Sequence, residues 1–424
     1  MSAPVSERMR RAMSVSAPLL RFMNDSPWAR RRQENSQLCD FTFGDPQEMP
    51  VPGYVDALRH ALTPRDKDWY AYKENEPETR AVVAAALRQR RNLPFEDEDI
   101  FLTTGAFPAI AVALATVIDP GDEVIMNDPP WFFYRAMTLA AGGAPVHVAI
   151  DPQTFDLDLR AIQAAITPRT RAIFVNSPNN PTGRIYPPAL LKELAAILHS
   201  ASRKNDRTIY LFSDESYSRI VYDGRQFYSP TEYYNNSFLL YTYGKTILTP
   251  GQRLGYIALP PAIDNRDELR QAIYMAQVVC GYVFPNALLQ HAIGDIEKLS
   301  IDIPHLQAKR DKMVTALRGM GYQLHSPEGT FYLLPKSPMA DDWAFVDLLG
   351  EYGISCLPGS TIQCPGYFRI SLTANDDMIQ RALPGFAAAI ERARSEAPVL
   401  ASLVLDENGG LRQRVSSLVS PGLG

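Results

Sequence analysis

Between about residue 75 and residue 260, short apolar runs rich in β-branched and aromatic residues alternate with stretches whose apolar residues recur at spacings of three and four. Strands separated by helices cannot pair as tight hairpins, so they must lie parallel, with helices covering both faces of one sheet. The expected strands are 100–103, 123–126, 146–150, 172–175, 209–212, 238–241 and 255–259, and the expected helices 78–90, 108–117, 134–141, 157–165 and 188–200. The fold class is therefore α/β, with a mostly parallel seven-stranded sheet flanked by helices. A ligand in such a sheet binds beyond the carboxyl ends of the strands, where the loops leave a crevice.

The pattern then changes. A helical stretch over 285–320, strands at 330–334 and 367–372 and a helix over 376–394 predict a second, smaller α+β domain. The expected organisation is an N-terminal segment 1–50 packing on the small domain, a large domain 51–290, a small domain 291–394 and a tail 395–424, whose Gly409-Gly410 and Pro421 suggest mobility.

Composition narrows the function classes. Forty-two Lys and Arg against 47 Asp and Glu give a net charge of −5, without the basic footprint that a nucleic-acid or anionic-membrane surface requires. The longest apolar stretch, 106–118, is too short to span a bilayer and runs into Pro120-Gly121-Asp122. The N-terminus has arginines but no long apolar region with a cleavage site, so a cytoplasmic address is expected. Cys39, Cys280, Cys356 and Cys364 lack the spacing of a redox or zinc motif, and the six histidines are scattered, so no metal site is expected.

Six patterns fall at strand ends or on strands. Thr104-Gly105-Ala106-Phe107-Pro108 opens an apolar helix whose free N–H groups suit a phosphate, although small residues are common at any such turn. In Asp128-Pro129-Pro130-Trp131-Phe132-Phe133-Tyr134 a flat ring could stack on a heteroaromatic ligand or simply fill the core. Asn176-Ser177-Pro178-Asn179-Asn180-Pro181-Thr182-Gly183 builds a stiff polar loop from which an Asn can donate to a phenolate-type oxygen. Ser213-Asp214-Glu215-Ser216-Tyr217 offers a carboxylate for a protonated ring nitrogen and a phenol three residues on, or a plain helix cap. Tyr241-Thr242-Tyr243-Gly244-Lys245 places a lysine after an apolar strand, with Arg253 eight residues later; a desolvated lysine is a Schiff-base nucleophile, and Thr242 and Arg253 suit a phosphate. Last, Arg369 lies within the alternating strand 367–372, where an inward guanidinium must meet an internal acid or a ligand carboxylate.

Together and in this order, these residues resemble the class I/II aminotransferases, the fold-type-I pyridoxal-5′-phosphate (PLP) enzymes of the aspartate aminotransferase superfamily, over roughly residues 38–392. The resemblance implies that Lys245 holds PLP as a Schiff base and shuttles a proton, that Asp214 pairs with the pyridine nitrogen, and that Asn180 and Tyr217 bind the ring oxygen. It implies that Trp131 stacks on the ring and that Gly105, Ala106, Phe107, Thr242 and Arg253 hold the phosphate. It further implies that Tyr70 reaches the neighbouring subunit's phosphate in a homodimer, and that Arg369, helped by Asn180, takes the substrate carboxylate, with Gly44 in the strip that closes over it. The expected activity is transfer of an amino group from an L-amino acid to a 2-oxo acid. Elimination, cyclisation and amino-acid oxidation or hydroxylation remain as alternatives, because the cofactor makes the carbanion and the pocket decides its fate. A common aspartate-using branch has a lysine where Phe107 stands, which points away from an acidic side-chain pocket.

Overall fold

The seven apolar runs form one sheet in the order Ile100–Thr103, Gly255–Ala258, Ser237–Thr242, Tyr210–Asp214, Thr170–Asn176, Glu123–Asp128, Ala144–Ala149. These strands belong to a computed structural model that describes residues 4–91, 93–401, 403–405 and 411–413. Gly255–Ala258 runs antiparallel to both of its neighbours, and every other adjacent pair is parallel. The central strands Tyr210–Asp214 and Ser237–Thr242 are buried along their whole length, and Thr170–Asn176 at every residue but Arg171, so they read as continuous apolar runs and not as alternating ones. The helix Ala106–Val117 is apolar nearly all round because it is sandwiched between this sheet and the helix Arg266–Val279.

Strand ends reach further than the apolar runs. The structure carries them to Asp128, Asn176, Asp214 and Thr242, because a parallel ladder continues through any residue with a free N–H and C=O. Asn176 pairs in register with Asp214, and Asp214 with Leu240, which sets the polar ends Asn176 and Asp214 side by side at the carboxyl ends of the strands.

Beyond the sheet, the single helical stretch expected over 285–320 is two helices, Ala287–Ile296 and Ile303–Met320. The apolar spacing runs through Leu299 and Ile301, but Asp302 accepts from the His305 N–H and caps a new helix whose second residue is Pro304. A three-stranded antiparallel sheet follows, with Phe368–Ser371 between Leu357–Pro358 and Tyr332–Leu333. The chain closes with Asp376–Ala401, longer than expected, and a hairpin of Leu403–Leu405 with Leu411–Gln413. Gly409-Gly410 and Pro421, on which the expectation of a mobile tail rested, lie outside the described residues.

The N-terminal segment forms helices α1 (Glu7–Asp25) and α2 (Pro27–Glu34). Ser26 ends the first and caps the second through its Oγ, 3.3 Å from the Trp28 N–H, and Pro27 fixes the break. The sequence placed this segment on the smaller domain. In the structure α2 packs on Asp342–Glu351, whereas α1 lies mainly along Tyr134–Ala140, beside the large sheet. Cys39–Asp40 then pairs with Ile354–Ser355. No helix among the described residues is long and apolar enough to cross a membrane.

Candidate active site

A cavity of about 400 Å³ opens at the polar edge of the large sheet. Of the residues singled out in the sequence, it brings together Gly44, Ala106, Phe107, Trp131, Asn180, Asp214, Tyr217, Thr242, Lys245, Arg253 and Arg369. Gly105 stands just behind, at the start of the apolar helix. It has φ +93°, and a Cβ there would lie 2.7 Å from an Arg253 guanidinium nitrogen, so only glycine allows this approach. Tyr70 is not part of the cavity of its own chain; it is exposed and its hydroxyl donates to the Leu62 carbonyl.

Asp214 is held by three donors. The Ser216 N–H and Oγ reach one carboxylate oxygen at 3.1 and 2.6 Å, and the Tyr134 hydroxyl reaches the other at 2.5 Å. Burial, then the Asp214 charge, push the Tyr134 phenol well above its usual range, so Tyr134 remains a donor. Behind Asp214, Asn176 ties two loops together: its Nδ2 donates to the Asp214 carbonyl at 3.0 Å and its Oδ1 accepts from the Asn180 N–H at 2.7 Å.

The Lys245 ammonium has no hydrogen-bond or ion-pair partner among the described residues, and its Nζ lies 5.8 Å from the Phe331 ring centroid. Arg253 donates only to the Pro250 carbonyl, at 2.7 Å, and desolvation draws its guanidinium below the usual range, a penalty that a bound anion would remove. Thr242 directs its hydroxyl to the Leu254 carbonyl at 3.2 Å and accepts from the Gly244 N–H.

Arg369, 1% exposed, is the cation of the opposite wall. It donates to Asn180 Oδ1 at 3.1 Å and to the Thr42 carbonyl at 3.0 Å, and its guanidinium carbon lies 4.1 Å from the Tyr332 ring centroid. Its Nε has no partner, and no Asp or Glu lies within 4.0 Å of it among the described residues. Tyr332, which lines the cavity from the strand expected over 330–334, was missed as a site residue. Its hydroxyl occupies the space a Cβ on Gly44 would need, at 2.7 Å. Burial raises the Tyr332 phenol, but Arg369, Lys245 and a hydrogen bond with Tyr217 bring it below its ordinary value; burial and the same neighbour drive Tyr217 well up.

The charges in the cavity do not balance. Arg32 faces Asp40 and Asp45, leaving Lys245, Arg253 and Arg369 against Asp214 alone. A doubly charged phosphate, a ring with a protonated nitrogen and a carboxylate would complete this set, so the residues present fit PLP and an amino acid. Also missed in the sequence were Leu19, Met23, Trp28 and Arg32, which line the outer rim from α1 and α2.

Known proteins agree with this geometry. The profile of aminotransferase class I and II matches residues 36–386. A probable aspartate/prephenate aminotransferase of Thermus aquaticus is 31% identical over 368 residues, covering 85% of this chain and 93% of the relative. A probable aspartate aminotransferase of Methanocaldococcus jannaschii is 28% identical, covering 86% and 97%. Among solved structures, an amino transferase from Eubacterium rectale superposes with a TM-score of 0.85 at 28% identity, covering 92% of this chain and all of the other. The aspartate aminotransferase of Thermus thermophilus with maleate gives 0.77 at 26%, with the same coverage.

Proposed function

Starting from the fact that this chain belongs to the class I and II aminotransferases and is a PLP-dependent transaminase, we propose that Lys245, Asp214 and Arg369 are its three central working residues. When bound, PLP supplies an aldehyde that condenses with amines and a ring that accepts the electrons of a breaking Cα–H bond. Lys245 would be the amine that holds it, and its Nζ, once free, would take the proton from substrate Cα and hold it for return. An amine without internal partners suits that dual role, because nothing in the protein competes for its proton.

Asp214, fixed by Tyr134 and Ser216, keeps a proton on the ring nitrogen. Asn180 and Tyr217 donate to the ring oxygen, and Trp131 stacks on the ring. Thr242, Arg253 and the N–H groups of Gly105, Ala106 and Phe107 hold the phosphate. Arg369 and Asn180 orient the substrate carboxylate so that the Cα–H bond, and not the bond to the carboxylate, is the one aligned for breaking. The observation that carries this reading is the excess of cations over acids lining the cavity, Lys245, Arg253 and Arg369 against Asp214, none of the three ion-paired among the described residues.

The assembly we propose is a homodimer in which Tyr70 reaches the partner's phosphate. Tyr70 and Tyr72 are exposed, as are Met275, Val278, Val279 and Val283 on and beyond Arg266–Val279, an apolar surface of the kind a second copy covers. The same reading takes 51–290 as the cofactor-binding domain, 291–394 as the smaller one, and a cytoplasmic address, which suits four free cysteines.

The test is borohydride reduction of the purified holoenzyme followed by peptide mapping. The pyridoxyl label is expected at position 245; a label elsewhere, or none, overturns the assignment. Incubation with amino donors should convert the cofactor band to that of pyridoxamine phosphate, and Lys245→Ala should abolish the conversion while cofactor remains bound.

A further inference from the structure

On the basis of that transaminase reading, we propose that the outer part of the cavity, walled by α1, α2 and Phe107, is a side-chain subsite selecting amino acids with a bulky apolar or aromatic side chain over dicarboxylic ones. A side chain projecting outward from a substrate held on Arg369 passes Phe132, whose ring centre is 5.9 Å from the guanidinium carbon. The wall beyond is apolar: Leu19, Met23, Trp28, Phe43, Phe107 and Phe133.

The rings are locked against one another in two groups. Phe107 meets Trp131 edge-on at 4.5 Å and Phe133 at 5.2 Å, while Trp28 meets Phe43 edge-on at 5.4 Å. The first group comes from the start of the helix Ala106–Val117 and the loop after Glu123–Asp128, whereas Trp28 is brought by α2 and Phe43 by the strip that follows. Phe107, Trp131, Phe133, Trp28 and Phe43 together present aromatic surface to the cavity, a lining that favours an aromatic guest.

A second carboxylate would find no free cation. Lys245, Arg253 and Arg369 are committed to the cofactor and the α-carboxylate. Arg32 is the remaining cation of the lining, and its guanidinium lies 3.7 Å from Asp40 and 3.9 Å from Asp45, with the Trp28 ring 5.5 Å away. A carboxylate drawn to Arg32 would meet the like charge of Asp45, and one placed among the rings would lose its hydration. Burial of a phenyl group in the same place favours binding by roughly 10- to 100-fold.

Two readouts test this on the holoenzyme. In the first, single-turnover absorbance gives kcat/KM for L-phenylalanine and L-tyrosine against L-aspartate and L-glutamate. In the second, calorimetry compares 3-phenylpropanoate with succinate, neither of which can react. The aromatic member of each pair is expected to lead by about tenfold or more, in keeping with that burial. Trp28→Ala should erode the lead in both assays, and Phe107→Lys should move affinity toward succinate, with cofactor occupancy followed by absorbance. A preference for the dicarboxylic member in the parent enzyme, or an unchanged ratio in Trp28→Ala, overturns the proposal. If no amino acid at all converts the cofactor, it is the transaminase reading that fails, and the calorimetric ratio still decides the subsite.

Discussion

Replacing Arg369 with methionine separates a charge kept for a ligand from one kept for the fold. The guanidinium is 1% exposed and has no carboxylate within 4.0 Å among the described residues, only two neutral acceptors and the face of Tyr332. Removing one partner of a buried, hydrogen-bonded charge pair costs about 2–5 kcal/mol of binding, so kcat/KM for amino acids should fall roughly 30- to 5000-fold. The fold should respond differently. Losing the bonds to Asn180 and Thr42 costs about 1 kcal/mol each, but removing an unpaired buried cation returns several kcal/mol of desolvation. The apoenzyme's melting temperature should therefore stay within about 2 °C of the parent or rise. The assay is single-turnover kinetics with an amino acid and with its decarboxylated amine, together with calorimetric melting. Rates for the amine should not drop. A melting temperature many degrees lower, with less than a tenfold kinetic loss, would show that Arg369 serves the fold and would refute the carboxylate assignment.

Other outcomes follow from the same geometry. Tyr134→Phe removes a buried charge-assisted bond to Asp214 and should destabilise the apoenzyme by about 2 kcal/mol in urea unfolding, less in the holoenzyme where the ring nitrogen supplies another donor; equal losses in both forms would count against the Asp214 role. Tyr332 has its phenol brought below the ordinary value by Arg369 and Lys245, so it ionises as pH rises and then competes with the substrate carboxylate. KM for amino acids should thus climb on the alkaline side of the profile, and Tyr332→Phe should flatten that climb; an unaltered profile would exclude the competition. Glu123 is a buried carboxylate that burial would raise but Thr167, Arg169 and Thr170 hold below its usual value. A depressed carboxylate stabilises above its unfolded pKa and ceases to do so as pH falls through the folded one, so Glu123→Gln should cost about 1–2 kcal/mol at pH 7 and progressively less as pH falls below the ordinary carboxylate range. A cost independent of pH would show that packing, not charge, is what Glu123 supplies.

Much of the sheet was legible because burial on both faces writes a strand as an unbroken apolar run, and every expected strand of the large sheet lies within a residue or two of an observed one. The errors share one cause. Apolar runs stop at the last apolar side chain, whereas backbone pairing continues, so the expected strands stopped at 212 and 241 and the observed ones run on to Asp214 and Thr242. Pairing rigidifies both, which is how the sheet fixes the direction of a carboxylate and a hydroxyl. Likewise the apolar spacing through Leu299 and Ile301 concealed a helix break that the Asp302 cap makes.

The chemistry of the site was carried by residue types at strand ends, and local sequence is enough to put an amine, an acid and two guanidinium groups near one crevice. What local sequence could not supply is the set of partners reached across the chain. Tyr134 meets Asp214 from 80 positions away, Asn180 meets Arg369 from 189, and Thr42 meets the same arginine from 327. Nor does periodicity tell which side of an amphipathic helix finds which surface, so nothing in the sequence marked Leu19, Met23 and Trp28 of α1 and α2 as lining the cavity. The positions of the strands along the chain and the reactive groups at their ends are properties of short segments, and the sequence determined them. The width, charge balance and apolar wall of the pocket are sums over segments that only packing brings together, and the tertiary structure decided those.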